Sequence, residues 1–190
     1  MCNNYRLHVP ANQIAMPFSE AGRALELPEG LPNLEPKDYR IGDRAPIIVQ
    51  GENGSQMVMM PWAWRAPPGK PVFNFRSEGR TFGGSTRCLI PADGFYEFTA
   101  PTVAGKKTKW LFTMIGQPWF WIAGIVKDGA FAMLTTEPGP DVAHYHDRQI
   151  VLLPPGAGVH WLDLSAHEDL ILAPSPLGSL DVERVYPEIA

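Results

Sequence analysis

Cysteine is scarce in this chain. Its 190 residues include two, Cys2 and Cys88, too few for the disulfide framework of a small secreted domain, so both are expected to be reduced. No run of eighteen apolar residues occurs, which leaves no candidate membrane-spanning helix. The first residues lack the basic-then-apolar pattern of a secretory signal. The expectation is a cytoplasmic protein with no membrane association. Internal repeats, low-complexity stretches and interdomain linkers are also missing. Histidine is sparse at five residues. His144 and His146 would share a face on a strand, as metal ligands can, but no second His/Cys cluster accompanies them, so neither a metal nor another cofactor is expected.

Proline and glycine are plentiful, at 20 and 18 residues. That favours many turns and short strands over long helices. With 45% hydrophobic residues, the chain can bury one ordinary core, and it reads as a single domain over 1–190. Net charge is −4, but residues 37–109 hold 11 Lys/Arg against 6 Asp/Glu, and residues 110–190 hold 3 against 10. A basic middle segment can face a polyanion while the rest repels it, or can simply be a solvated surface.

Patterning predicts a first strand within residues 1–8 and a short helix over Ala11–Gly22 with Ile14, Ala15 and Phe18 near one face. Pro46–Gln50 and Gln56–Met60 read as a hairpin, the Met-rich arm filling core. Further strands are expected at Arg87–Pro91, Phe95–Phe98, Trp110–Met114 and Phe120–Val126. Asp128-Gly129 should turn the last of these tightly into Ala130–Thr135. A short helix is expected from Pro140 to Tyr145, a buried strand at Ile150–Leu153, and a last helix opened by a capping box at Ser165-Ala166-His167-Glu168. The sum is one mostly antiparallel β domain with a few short helices.

The most reactive stretch is the beginning, Met1-Cys2-Asn3-Asn4-Tyr5-Arg6. Trimming of Met1 before so small a side chain leaves Cys2 as a 1,2-aminothiol. An α-amine titrates near ~7.8 and a lysine near ~10.4, so the former offers far more neutral amine at pH 7. Such an amine condenses with an aldehyde to a Schiff base, on which the neighbouring thiol can close a thiazolidine ring. Taken alone, Cys2 reads more readily as a residue with no role. Imine formation needs an acid and a base. Glu97, set among Tyr96, Phe98 and Phe95, is a candidate acid whose aromatic setting would raise its pKa, although a solvent-facing edge position is also open to it. His146 is the candidate proton shuttle. Asn74 and Arg76 project to one side of an extended segment, as an amide and a guanidinium recognising a sugar and its phosphate would. Trp62 and Trp64 offer rings for an unpaired base, core packing being the commoner use of at least one. His8, His160 and His167 read as surface or structural.

Several of these residues fall in strings that together resemble the SOS-response-associated peptidase family of abasic-site-processing proteins. They are Cys2, Asn74-Phe75-Arg76-Ser77-Glu78, Arg87-Cys88-Leu89-Ile90-Pro91-Ala92-Asp93-Gly94-Phe95-Tyr96-Glu97 and His146-Asp147-Arg148. The resemblance implies an α+β fold: a single compact domain built on a curved, barrel-like, mostly antiparallel sheet with a few short helices. It implies a monomer that senses abasic sites in single-stranded DNA and crosslinks to them through a thiazolidine at Cys2. Asn74, Glu97 and His146 would surround the nucleophile; Arg76, with Trp62, Arg6 and Arg148, would hold DNA. It also implies self-processing to expose Cys2. Three departures stand out: Asn3-Asn4 where the family usually has Gly-Arg, with Arg6 a candidate replacement for the lost cation; Phe75 where it has a small residue; and Gln149-Ile150 where it has Met-Pro. Two other classes remain open: a thiol peptidase acting on other proteins, and a noncatalytic single-strand-binding module.

Overall fold

The computed structural model describes residues 2–30, 32–101, 105, 107–163 and 167–186. The strands of its first half are β1 (Asn4–Leu7), β2 (Leu25–Glu26), β3 (Lys37–Arg40), β4 (Arg44–Gln50), β5 (Ser55–Pro61), β6 (Trp64–Ala66), β7 (Lys70–Val72) and β8 (Asn74–Arg76). Those of the second half are β9 (Thr86–Ala92), β10 (Gly94–Thr99), β11 (Thr108–Met114), β12 (Phe120–Lys127), β13 (Ala130–Thr136), β14 (Gln149–Ile150), β15 (Leu152–Leu153) and β16 (Leu180–Tyr186). Three short α-helices join them: α1 (Ala11–Glu20), α2 (Gly158–Asp163) and α3 (Glu168–Ile171).

Among the described residues two curved sheets, neither closed into a barrel, and a small β6-β7 sheet make one compact domain. The smaller curved sheet runs β16-β11-β10-β1-β3 and the larger β14-β13-β12-β9-β4-β5-β2, with β8 added beside β13 and β15 beside β12. Nearly every pairing is antiparallel, as the abundance of turns predicts; β8 on β13 and β2 on β5 are the parallel exceptions. Strands β12 and β13 are apolar almost throughout and buried on both faces, which is why they show no alternation. Their hairpin is the expected one. Asp128 and Gly129 both take positive φ (52° and 71°), the geometry that a two-residue turn between twisted strands requires.

Helix α1 buries Ile14, Pro17 and Phe18, and Phe18 packs edge-on to Trp121 at 5.9 Å. Helix α2 inserts Trp161, whose indole N–H donates to the carbonyls of Cys88 at 3.1 Å and Gly124 at 3.3 Å. The chain leaves the larger sheet at Ala92 and enters the smaller one at Gly94. Asp93 secures this crossing by accepting from the backbone N–H of His8 and from Arg6, each at 3.0 Å.

Three local expectations change. Residues 141–145 form a hydrogen-bonded turn, with Ala143 N–H bonded back to Gly139, and not a helix. The Ile150–Leu153 strand is two short ones broken at Val151. The last helix is shortened to α3; Ser165 and Ala166 of the expected capping box lie outside the described residues.

Candidate active site

Strands β1 and β10 build one wall of the site. Their register pairs Tyr5 with Phe95 and Arg6 with Gly94, and extending it toward the chain start sets Asn3 opposite Glu97. Glu97 in turn faces Trp110 on β11. Its side chain is 2% exposed. Burial pushes the carboxyl from 4.5 up to about 7, with the positive amino terminus drawing it partway back. The aromatic strand therefore does what its composition predicted, keeping Glu97 partly protonated at neutral pH.

Asn74 comes from the other sheet. Placed on β8 by the parallel pairing with Met133, it donates from Nδ2 to the Cys2 carbonyl at 2.7 Å. Its Oδ1 is buried and has no hydrogen-bond partner among the described residues. His146 follows the 141–145 turn. Its Nδ1 lies 3.0 Å from the Arg148 N–H and 2.8 Å from Asp147 Oδ1. The first contact needs a lone pair on Nδ1 and the second a proton, so one proton decides which is made. Burial lowers the imidazole pKa, as does the positive amino terminus, while Asp147 opposes the shift. His146 is thus mainly neutral at pH 7, the state of a base.

Cys2 itself is 1% exposed, its Sγ 3.4 Å from the Asn4 carbonyl oxygen. Burial, and then the Glu97 charge, hold its thiol well above the ordinary range. Beside it a cavity of about 230 Å³ is lined by Asn3, Glu97, Phe98, Lys107 and His146. Larger grooves of about 510 and 570 Å³ lie elsewhere and are mostly apolar; neither joins a nucleophile to an acid. Chemistry, more than size, selects the smaller cavity.

The structure thus gathers Cys2, Asn74, Glu97 and His146. The expected DNA contacts fare differently. Arg76 is exposed two residues from Asn74 on the same strand. Trp62 is fully buried, stacked on Phe131 at 6.3 Å and donating its indole N–H to the Phe73 carbonyl at 2.9 Å. A core indole leaves no face for a base, which corrects its assignment. Arg148 is also redirected. It forms a two-pronged ion pair with Glu78 and donates to Thr135 O at 2.9 Å and Oγ1 at 3.0 Å. This clamp ties the segment after the 141–145 turn to β13, and with Nε buried it leaves no exposed guanidinium edge for phosphate. Arg6 is engaged by Asp93, and Asn4, one of the two residues in the usual Gly-Arg positions, is buried with Nδ2 on the Tyr39 carbonyl at 2.9 Å. His144 lies in the 141–145 turn and His146 just after it, neither on a strand, so strand alternation does not apply to them. Among the described residues no group of three or more His, Cys, Asp or Glu could hold a metal. Phe98 and Lys107 were missed as lining residues; the lysine cluster at 106, 107 and 109 was the available signal.

The family model for the SOS response associated peptidase (SRAP) matches residues 1–190. The chain belongs to the SRAP family. Several solved structures share its fold, three of which follow. A protein from Bordetella bronchiseptica is 22% identical with a TM-score of 0.72, covering 97% of this chain and 99% of its own. A phage-related protein from the same organism is 20% identical at 0.74, covering 98% and 95%. A protein from Bacteroides thetaiotaomicron is 19% identical at 0.72, covering 98% and 93%. No curated protein matches the chain significantly. SRAP membership makes this an SOS-associated, peptidase-like protein, and no helix among its described residues is long and apolar enough to cross a membrane.

Proposed function

We propose that this SRAP protein captures abasic sites in single-stranded DNA as a thiazolidine on Cys2. The observation that carries the reading is the Asn74 hydrogen bond to the Cys2 carbonyl, beside a buried Glu97 and a neutral His146. Loss of Met1 puts a free amine among these three groups. The amine nitrogen adds to the C1′ carbonyl carbon of the ring-opened sugar, and His146 takes a proton from nitrogen and passes it to the new alkoxide oxygen, giving a carbinolamine. Protonated Glu97 then gives its proton to the hydroxyl, which leaves as water, and the Glu97 carboxylate takes back the proton left on nitrogen as the neutral imine forms. Cys2 Sγ then adds to the imine carbon, and its proton passes to the nitrogen. Water is the one by-product and nothing is oxidised.

Burial of the sulfur orders these steps. A thiol held protonated is a poor first nucleophile, so the amine attacks first and the sulfur closes the ring afterwards. The same feature counts against a thiol peptidase acting in trans, which needs a thiolate open to a peptide. Exposure to single-stranded DNA carrying one abasic site should give a heat-stable adduct. The Cys2→Ala form should lose it, leaving at most an imine that borohydride traps. A heat-stable adduct on Cys2→Ala would overturn the proposal.

A further inference from the structure

The cavity beside Cys2 has one cation among its lining residues, Lys107. It is exposed and immediately precedes β11. Several other cations of the basic middle segment are engaged. Lys109 lies 3.6 Å from Asp38 and over the Tyr96 ring. Lys37 lies 4.0 Å from Asp43 and over Tyr39, and Arg87 faces Glu168 over Trp161. Among the described residues Lys107 forms no ion pair.

We infer that Lys107 is the phosphate-positioning residue of this site, holding the backbone phosphate next to the abasic sugar so that C1′ meets the Cys2 amine. The inference rests on the abasic-site reading above. An abasic nucleotide has no base to grip, so its charged phosphate is the strongest handle available. A lysine ammonium at the cavity serves as a point charge for it without demanding bidentate geometry. Arg76, at the end of β8 in the other sheet, stands on the Asn74 side. The two cations thus approach the sugar from different sheets, where each can take a phosphate on a different side of the lesion. In this chain Lys107 does the work for which buried Asn4 and Asp93-bound Arg6 are unsuited.

The test compares two aldehydes, an oligonucleotide with one abasic site and free 2-deoxyribose, which lacks phosphate. For Lys107→Gln, the second-order rate of adduct formation with the oligonucleotide should fall roughly three- to tenfold at low salt, and its log–log salt slope should flatten by about 0.7. The rate with 2-deoxyribose should not change, and Lys107→Arg should restore most of the oligonucleotide rate. An unchanged oligonucleotide rate, or equal slowing with both aldehydes, overturns the inference. If the parent protein forms no adduct with either, the abasic-site reading fails and takes this inference with it.

Discussion

Replacing Glu97 by Gln should make the protein more stable and less active, in a pH-dependent way. A carboxyl moved from 4.5 to about 7 corresponds to about 3 kcal/mol. Below pH ~4.5 Glu97 is protonated folded or unfolded, and nothing is lost. Between ~4.5 and about 7 the unfolded chain releases its proton while the folded protein keeps it, so stability falls as pH rises. Above about 7 the full penalty of a buried charge remains. Gln carries no such charge. Glu97→Gln should therefore match the parent near pH 4 and exceed it at pH 8 by up to about 3 kcal/mol. For a chain of this length that is a rise in Tm of about 6–12 °C. Thermal unfolding of both proteins across pH 4–8 reads the difference directly, and titration of His146 cancels in the comparison. Adduct formation should fall about 10²- to 10⁴-fold with loss of the acid. A Tm difference independent of pH, or an adduct rate equal to the parent's, would refute the reasoning.

Arg148→Met leaves the Glu78 carboxylate without its guanidinium and takes one of three donors from the Thr135 carbonyl, which keeps its bonds from Ser77, and should cost about 2–3 kcal/mol in urea unfolding. Arg148 hydrogen bonding lowers the Glu78 pKa, so the clamp's contribution is present above the unfolded carboxylate value and lost as pH falls through the lowered folded one; Arg148→Met should flatten that acid limb. Asn74→Ala removes the donor to the Cys2 carbonyl, a bond worth about 1 kcal/mol. It should slow adduct formation about tenfold while shifting Tm by no more than a few degrees, read by gel and by thermal unfolding.

Much of the fold was legible because it is local. Asp128-Gly129 fixes its hairpin through two positive φ angles, and the apolar run at Phe120–Val126 has no amphipathic helical reading. Strand β16 escaped notice because its Asp181, Glu183 and Arg184 give it the look of a loop; β11 makes it a strand by pairing with it. In place of the Pro140–Tyr145 helix the backbone closes successive turns, Val142 and Ala143 N–H bonding back to the Gly139 carbonyl and Tyr145 and His146 N–H to that of Val142.

The site divides in the same way. Glu97 was readable as a raised acid because its aromatic neighbours lie beside it in sequence. Trp62 and Arg148 were misassigned because what occupies them is remote: Phe131 stacks on the first, and Glu78, 70 residues away, clamps the second. A single sequence displays a cation but not its distant counter-charge, and exposed and core tryptophans look the same in it. Lys107 was passed over for the converse reason, since only the cavity distinguishes it from its neighbouring lysines.

The most direct test of the central claim is the intact mass of the purified protein before and after incubation with abasic single-stranded DNA. The account predicts a chain lighter by Met1, then a product heavier by the whole oligonucleotide less one water, stable to heating without reductant. A chain that has lost Met1 and stays at its own mass after that incubation would contradict it.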